Sequence, residues 1–348
     1  MTSATPPRIA LLATVPPVTK VLIALNVLVF ALMWWEGAGF WHTSNVVQLA
    51  WGANFAPATA DGEWWRLGSA MFLHFGALHL GMNMLALWDG GKLVERMLGS
   101  WRFLVIYLVS GVCGNLLSLV IQGNQAVSGG ASGAIFGIYG ALLVTVWFDR
   151  HRMHTQAFRW LFWGALLFSA LTIFMGYVVP GIDNAAHIGG FVTGILMALI
   201  LLPAEIAPAT LRRMQVLAGA VWLFAIVCLL THLPVPKYRW HDELAIRQQL
   251  EQLNLVDQQA QHHWQQIVLE GRAGSASFDE LAAQMDAQVV APYAQTFEAL
   301  SALPDDPQLP SAGLLGQARV YALKRSEAGK AAAEKLRNMP FMPHQSPE

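Results

Sequence analysis

Ser132 and His187 each open an apolar stretch long enough to cross a membrane. A polar or ionisable side chain in hydrocarbon is expensive, so such a residue is by default a functional-site hypothesis. Ser132 stands in Gly130-Ala131-Ser132-Gly133, and nothing in that neighbourhood would activate its hydroxyl. A nucleophilic serine therefore needs a base from elsewhere in the chain. His187, in Ala186-His187-Ile188-Gly189-Gly190, is suited to that task because an imidazole titrates near neutral pH. His79 and Asn83 are four residues apart and share one helix face. Both can donate hydrogen bonds of the kind that hold an oxyanion. Together these residues describe acyl transfer to a serine with histidine as base.

Taken singly, each feature has a plainer explanation. A lone serine in a spanning helix usually bonds its own backbone. A lone buried histidine is more often structural, and His79 with Asn83 could simply join helices. The glycines argue for the conjunction. Gly133, Gly137 and Gly140 follow Ser132, while Gly190 and Gly194 follow His187. Gly-x-x-x-Gly spacing lets helix backbones pack closely in lipid, which would bring the fourth and sixth spans together with their two side chains.

The elements that must position these residues are membrane helices. Of 348 residues, 55% are hydrophobic and 12% charged, against roughly 25% charged in soluble domains. Seven spans of about 20 residues can be read, at 18–36, 67–88, 102–122, 131–149, 159–179, 185–203 and 214–233. The first has too long an apolar core for a signal peptide and no small-residue cleavage site after it, so it reads as an uncleaved anchor. Of the 21 Lys and Arg, 11 precede residue 234 and 10 follow it. Arg8, Lys20, Lys92, Arg96, Arg102, Arg150, Arg152, Arg159, Arg212 and Arg213 alternate onto one side of the membrane, and only Arg66 falls on the other. The positive-inside rule then makes the N-terminus cytoplasmic and puts Ser132 and His187 at one depth, toward the outer face. Cys113 and Cys228 lie in apolar runs and read as small buried hydrophobes. No metal site or cofactor is implied. The net charge of −1 gives no sign of nucleic-acid binding.

The predicted organisation is a short cytoplasmic N-terminus (1–17), a six-span core (18–203), a linker with a seventh span (204–233), and an extracytoplasmic, mostly helical polar tail (234–348). In the tail, Leu244, Leu250, Leu253, Val256, Trp264 and Ile267 recur at near-helical spacing. Residues 278–303 and 313–338 read as further helices, separated by Gly/Ser- and Pro-rich breaks. His262 and His263 are adjacent, so they point to different helix faces and read as solvated.

Over about residues 17–203 the chain resembles the rhomboid intramembrane serine proteases. The resemblance implies an all-α polytopic bundle with Ser132 and His187 as the catalytic dyad. It implies an oxyanion hole from His79, Asn83 and the backbone amides of Ala131 and Ser132. It also implies that Phe136 packs against His187 and that Trp65-Arg66 belongs to the family's first outer loop. It further implies a structural role for His74, stabilising the loop that leads into the second span. Gly130, Gly133, Gly190 and Gly194 match the family's glycines. The expected partners are membrane lipid and other membrane proteins, whose spanning segments are cut near the outer face. A further partner for the tail is expected outside the membrane, and the chain is expected in a bacterial inner membrane. The family works with a dyad, so Asp183, four residues before His187, reads as a helix cap. A triad role is its alternative. Two other functions compete. An inactive relative that escorts spanning helices would typically lack the serine or the histidine, and both are present. A transporter often shows paired interrupted spans in two halves, which this sequence does not.

Overall fold

The computed structural model describes residues 16–203 and 211–339. Most of the expected N-terminal stretch (including Arg8), the linker at 204–210 and the last nine residues lie outside the described residues. The chain divides into two compact units, Met1–Pro236 and Lys237–Glu348.

Among the described residues seven long helices organise the first unit. They are α1 (Pro17–Trp35), α2 (Ala77–Leu98), α3 (Ser100–Gln122), α4 (Ser132–Asp149), α5 (Thr155–Val178), α6 (Asn184–Leu201) and α7 (Leu211–Thr231). Six of them are long and apolar enough to cross a membrane, and α2 makes a seventh only when joined to the short helical stretch before it. This is a polytopic, multi-pass membrane bundle. Within the α4 span 72% of residues are buried in the protein, against 11% for α5 and 6% for α7. The bundle is therefore built around α4. Trp160, Trp163, Leu167, Leu171 and Phe174 of α5 are exposed, which suits a lipid-facing surface.

The second span departs from its predicted range of 67–88. The stretch Arg66–Phe72 meets α2 at a bend of 93°. Between them the backbone abandons helical bonding and pairs with an upstream loop. Thr43 N–H donates to Phe75 O at 2.8 Å and Ala77 N–H to Phe40 O at 2.9 Å. Gly76 permits this approach, since a Cβ there would stand 2.1 Å from Trp41 O. At its far end α2 runs ten residues past the predicted limit, through a π-helical turn, Leu87–Gly91. There Gly90 lies against Tyr139 and Gly91 against Thr19.

One buried carboxylate closes the start of α1. Glu95 of α2 is 2% exposed and accepts from Val18 N–H (3.0 Å), Thr19 N–H (2.8 Å), Thr19 Oγ1 (2.8 Å) and Ser100 Oγ (2.6 Å). The two amides are orphan donors of the α1 N-terminus, and a negative charge there also suits the helix dipole.

The second unit is helical throughout its described residues except for its turns. α8 (Trp240–Ala273), α9 (Phe278–Met285), α10 (Ala291–Ser301) and α11 (Ala312–Arg337) enclose a core of Ile246, Leu281, Tyr293, Leu300 and Ala322. A π-helical turn, Asp286–Val290, joins α9 to α10. Ser277 and Glu280 form a capping box at the start of α9. On α8 Leu244, expected on the inner face, is only partly buried, and Ile246 is fully buried instead. Its neighbour Glu243 is buried too, accepting from Ser311 Oγ (2.7 Å) and Arg247 Nε (2.6 Å).

Candidate active site

Ser132 is the first residue of α4, and a short extended segment delivers it there. Ser128 and Asn54 exchange both backbone hydrogen bonds, at 2.8 and 2.9 Å, in an isolated antiparallel bridge. Gly130 N–H then donates to Ala70 O at 2.9 Å. Gly130 has φ +146°, a backbone conformation that side chains with a Cβ rarely adopt. Helical bonding in α4 begins with Ile135 N–H to Ala131 O. The amides of Ala131 and Ser132 precede that bond, so the helix itself does not use them.

The glycines hold α4 and α6 backbone to backbone. A Cβ on Gly190 would lie 1.9 Å from Gly133 O, and one on Gly194 would lie 1.9 Å from Gly137 O. Gly140 faces Phe191 O in the same way, at 2.4 Å. α3 joins the seam through Gly114, whose Cβ would be 2.6 Å from Ala186 O. His187 is 5% exposed and lies on the first turn of α6, three residues before Gly190. Its ring stacks on Phe136, centroids 4.2 Å apart and planes 12° apart. Phe136 is four residues after Ser132, on the same face of α4. The structure therefore brings His187 to the face that carries Ser132. Among the described residues no hydrogen bond joins the two side chains, and His187 Nδ1 is buried without a partner.

His79 approaches from α2. A Cβ on Gly130 would lie 3.0 Å from His79 Nε2 and 3.6 Å from Ser132 Oγ, so both converge on the space that glycine leaves. Phe75 N–H donates to His79 Nδ1 at 3.4 Å. That bond needs a lone pair on Nδ1 and so puts the proton of the neutral ring on Nε2, the nitrogen beside Gly130. Asn83 is buried, and its Nδ2 donates to His79 O at 2.9 Å. One of the two amide hydrogens proposed for oxyanion binding is thus engaged by its own helix.

The supporting residues divide into two groups. His74 is fully buried beneath His79, edge to face at 5.1 Å, and its carbonyl accepts from Gln48 Nε2 at 2.9 Å. Trp65 and Arg66 lie on the stretch between α1 and α2. Arg66 is 4% exposed and donates to Leu49 O (2.7 Å), Ala53 O (3.2 Å) and Glu63 (2.5 Å), while packing over the half-exposed Trp65 ring. Asp183 caps α6 by accepting from Ala186 N–H at 3.0 Å. It also accepts from Ser118 and Ser128, which sequence reasoning did not single out. Ser128 could have been suspected, since it lies four residues before Ser132. Ser118 carries no signal in the sequence.

Chemically, the arrangement gathers a hydroxyl, an imidazole, an N–H donor on His79 and two helix-start amides that the bonding of α4 does not use. Among the described residues no three His, Cys, Asp or Glu side chains group as a metal ion would need.

A protein-family model described as the Rhomboid domain matches residues 61–204. Rhomboid protease GluP of Bacillus subtilis is 40% identical over 186 residues, which are 53% of this chain and 35% of GluP. Rhomboid protease AarA of Providencia stuartii is 33% identical over 190 residues, 48% of this chain and 66% of AarA. The chain thus spans barely a third of GluP's own length. YdcA of Bacillus subtilis is covered further, with 37% identity over 141 residues that make up 40% of this chain and 69% of YdcA. With the domain match on 61–204 and that reach across YdcA, this chain belongs to the rhomboid family.

Proposed function

We propose that this protein is an intramembrane serine endopeptidase that cuts the spanning segments of other membrane proteins near the outer face. The observation that carries the reading is the Phe136–His187 stack, with Ser132 one turn away and His79 Nε2 beside it. Relatives described as rhomboid proteases support the same class of activity.

Ser132 attacks the scissile carbonyl carbon as His187 takes the hydroxyl proton. The oxyanion that forms is held by His79 Nε2–H, the amides of Ala131 and Ser132, and the remaining Asn83 N–H. One such donor is worth about 10²–10³ in rate. His187 returns its proton to the departing amine, leaving an acyl-Ser132 ester. A water molecule then gives its proton to His187 and attacks the ester, releasing the second product and restoring the serine. Water reaches this depth from the outer aqueous phase, so the polar residues line a cavity open to it. In this reading the N-terminus is cytoplasmic, the membrane is a bacterial inner membrane, and the tail from about 234 folds outside as a separate domain.

The test is covalent labelling by a fluorophosphonate probe, applied to the purified chain in detergent. Wild type should label, and Ser132→Ala and His187→Ala should not. A well-folded wild type that fails to label would overturn the reading in favour of a silent binder of spanning helices.

A further inference from the structure

Asp183 receives donors from three separate parts of the chain. Its Oδ1 accepts from Ala186 N–H on α6 at 3.0 Å. Its Oδ2 accepts from Ser118 Oγ of α3 at 2.5 Å and from Ser128 Oγ at 2.6 Å. Ser128 belongs to the segment that leads to Ser132 and is itself tied to Asn54 by two backbone bonds. Ser118 is 2% exposed, so its hydroxyl has little access to water if the carboxylate is removed.

The placement along the chain gives these bonds their meaning. Ser132 lies between Ser128 and Gly133, and His187 lies between Asp183 and Gly190. Gly133 and Gly190 touch backbone to backbone on one side of the two residues. Asp183 and Ser128 are bonded on the other side. The candidate dyad is therefore bracketed by two fixings, one of backbone contact and one of charge-assisted hydrogen bonds. Among the described residues no hydrogen bond joins Asp183 to the His187 ring, and its carboxylate is engaged with the three donors instead.

We propose that Asp183, through Ser118 and Ser128, is a positioning residue that sets the distance between the Ser132 segment and the His187 turn. The proposal rests on the protease reading above. Without the clasp the two segments are held on one side only, and small misplacements of reacting groups are costly in rate.

The experiment uses the full chain in detergent and a transmembrane reporter substrate, with kcat and KM measured separately and thermal melting followed in parallel. Ser118→Ala/Ser128→Ala leaves the Ala186 cap intact. It should lower kcat about tenfold, with KM unchanged within about twofold and melting within a few degrees. Ser118→Thr/Ser128→Thr keeps both hydroxyls and should recover most of the rate. Adding Asp183→Ala to the alanine pair should cause no further loss in kcat beyond that of Asp183→Ala alone, because all three act in one unit. If the double variant does not fold, Ser128→Ala alone, expected about threefold down in kcat, carries the same test. Wild-type kcat in the serine variants, or losses that multiply when combined with Asp183→Ala, would overturn the proposal. A direct triad role would predict that outcome. A wild-type chain that neither labels nor cleaves brings down the protease reading, and this proposal with it. An active wild type with an unaffected serine pair brings down this proposal alone.

Discussion

The two units of this chain are held together by different means. Around α4 and α6 the contacts are backbone on backbone, made possible by glycines whose missing side chains leave no spare space. In the C-terminal unit, large side chains such as Leu281, Tyr293 and Leu300 fill the interior between helices with polar outer faces. Lipid tails are as apolar as leucine, so burying leucine gains little there and close approach gains more. Between polar-faced helices, water supplies the drive and bulk is what counts. The same change of volume should therefore have opposite consequences. Adding a methyl breaks the first unit, and removing methyls breaks the second.

The largest effect is expected where a side chain meets backbone with no room to move. Gly194→Val should prevent folding of the membrane unit, because even the first added carbon would sit 1.9 Å from Gly137 O. Loss of the monodisperse detergent-purified protein would report it. A folded, active Gly194→Val would break the comparison outright. In the other direction, Leu300→Ala should destabilise the C-terminal unit by about 2–5 kcal/mol and leave fluorophosphonate labelling within about twofold. Limited proteolysis of residues 237–339 would follow the first, and the probe the second.

Gly130→Ala tests the space between His79 and Ser132, which the proposed mechanism uses. The added methyl would strain a φ of +146° and lie 2.9 Å from His79 Cε1. Labelling should fall about 10²-fold, the value of one misplaced oxyanion donor, with melting nearly unchanged. A smaller effect sharpens the picture of the polar-faced unit. Tyr293 and Tyr321 both donate to Asp257 Oδ1, and burial, aided by that carboxylate, raises both phenols above their ordinary range. A raised folded value favours the neutral phenol. The stability they contribute is therefore complete below about pH 10, the unfolded value, and is lost as pH climbs beyond it. Tyr293→Phe/Tyr321→Phe should flatten that alkaline loss, read as the proteolysis rate of the C-terminal unit between pH 9 and 11. The smallest effect is expected from removing that unit altogether. Truncation after Pro234 should leave labelling of Ser132 within about twofold; its complete loss in a folded truncation would show that the units do not work separately.

What the sequence disclosed follows from the same contrast. Glycine spacing and spanning length are local signals, so the packing of α4 on α6 could be read from Gly133, Gly137, Gly190 and Gly194. The bend before α2 could not. His74 stood out through the family resemblance, but Phe75 looks like an ordinary member of an apolar run, and only the bonds of Gln48 to His74 O, Thr43 to Phe75 O and Ala77 to Phe40 O show why the helix stops. Asp183 was legible as a cap because a cap is local. Its bonds to Ser118 and Ser128, 65 and 55 residues away, depend on the folded bundle. Asn83 was legible as polar at the right face, yet its bond to His79 O shows that helix backbone competes for the same hydrogen.

Glu95 adds a constraint of time. The amides of Val18 and Thr19 are satisfied by a carboxylate 77 and 76 residues further along the chain. Synthesis at about 5–20 residues per second places that carboxylate roughly 4–15 s behind them. For that interval the first helix must rely on water or lipid headgroups at its leading end. It becomes a finished wall of the bundle only when the end of the second helix arrives.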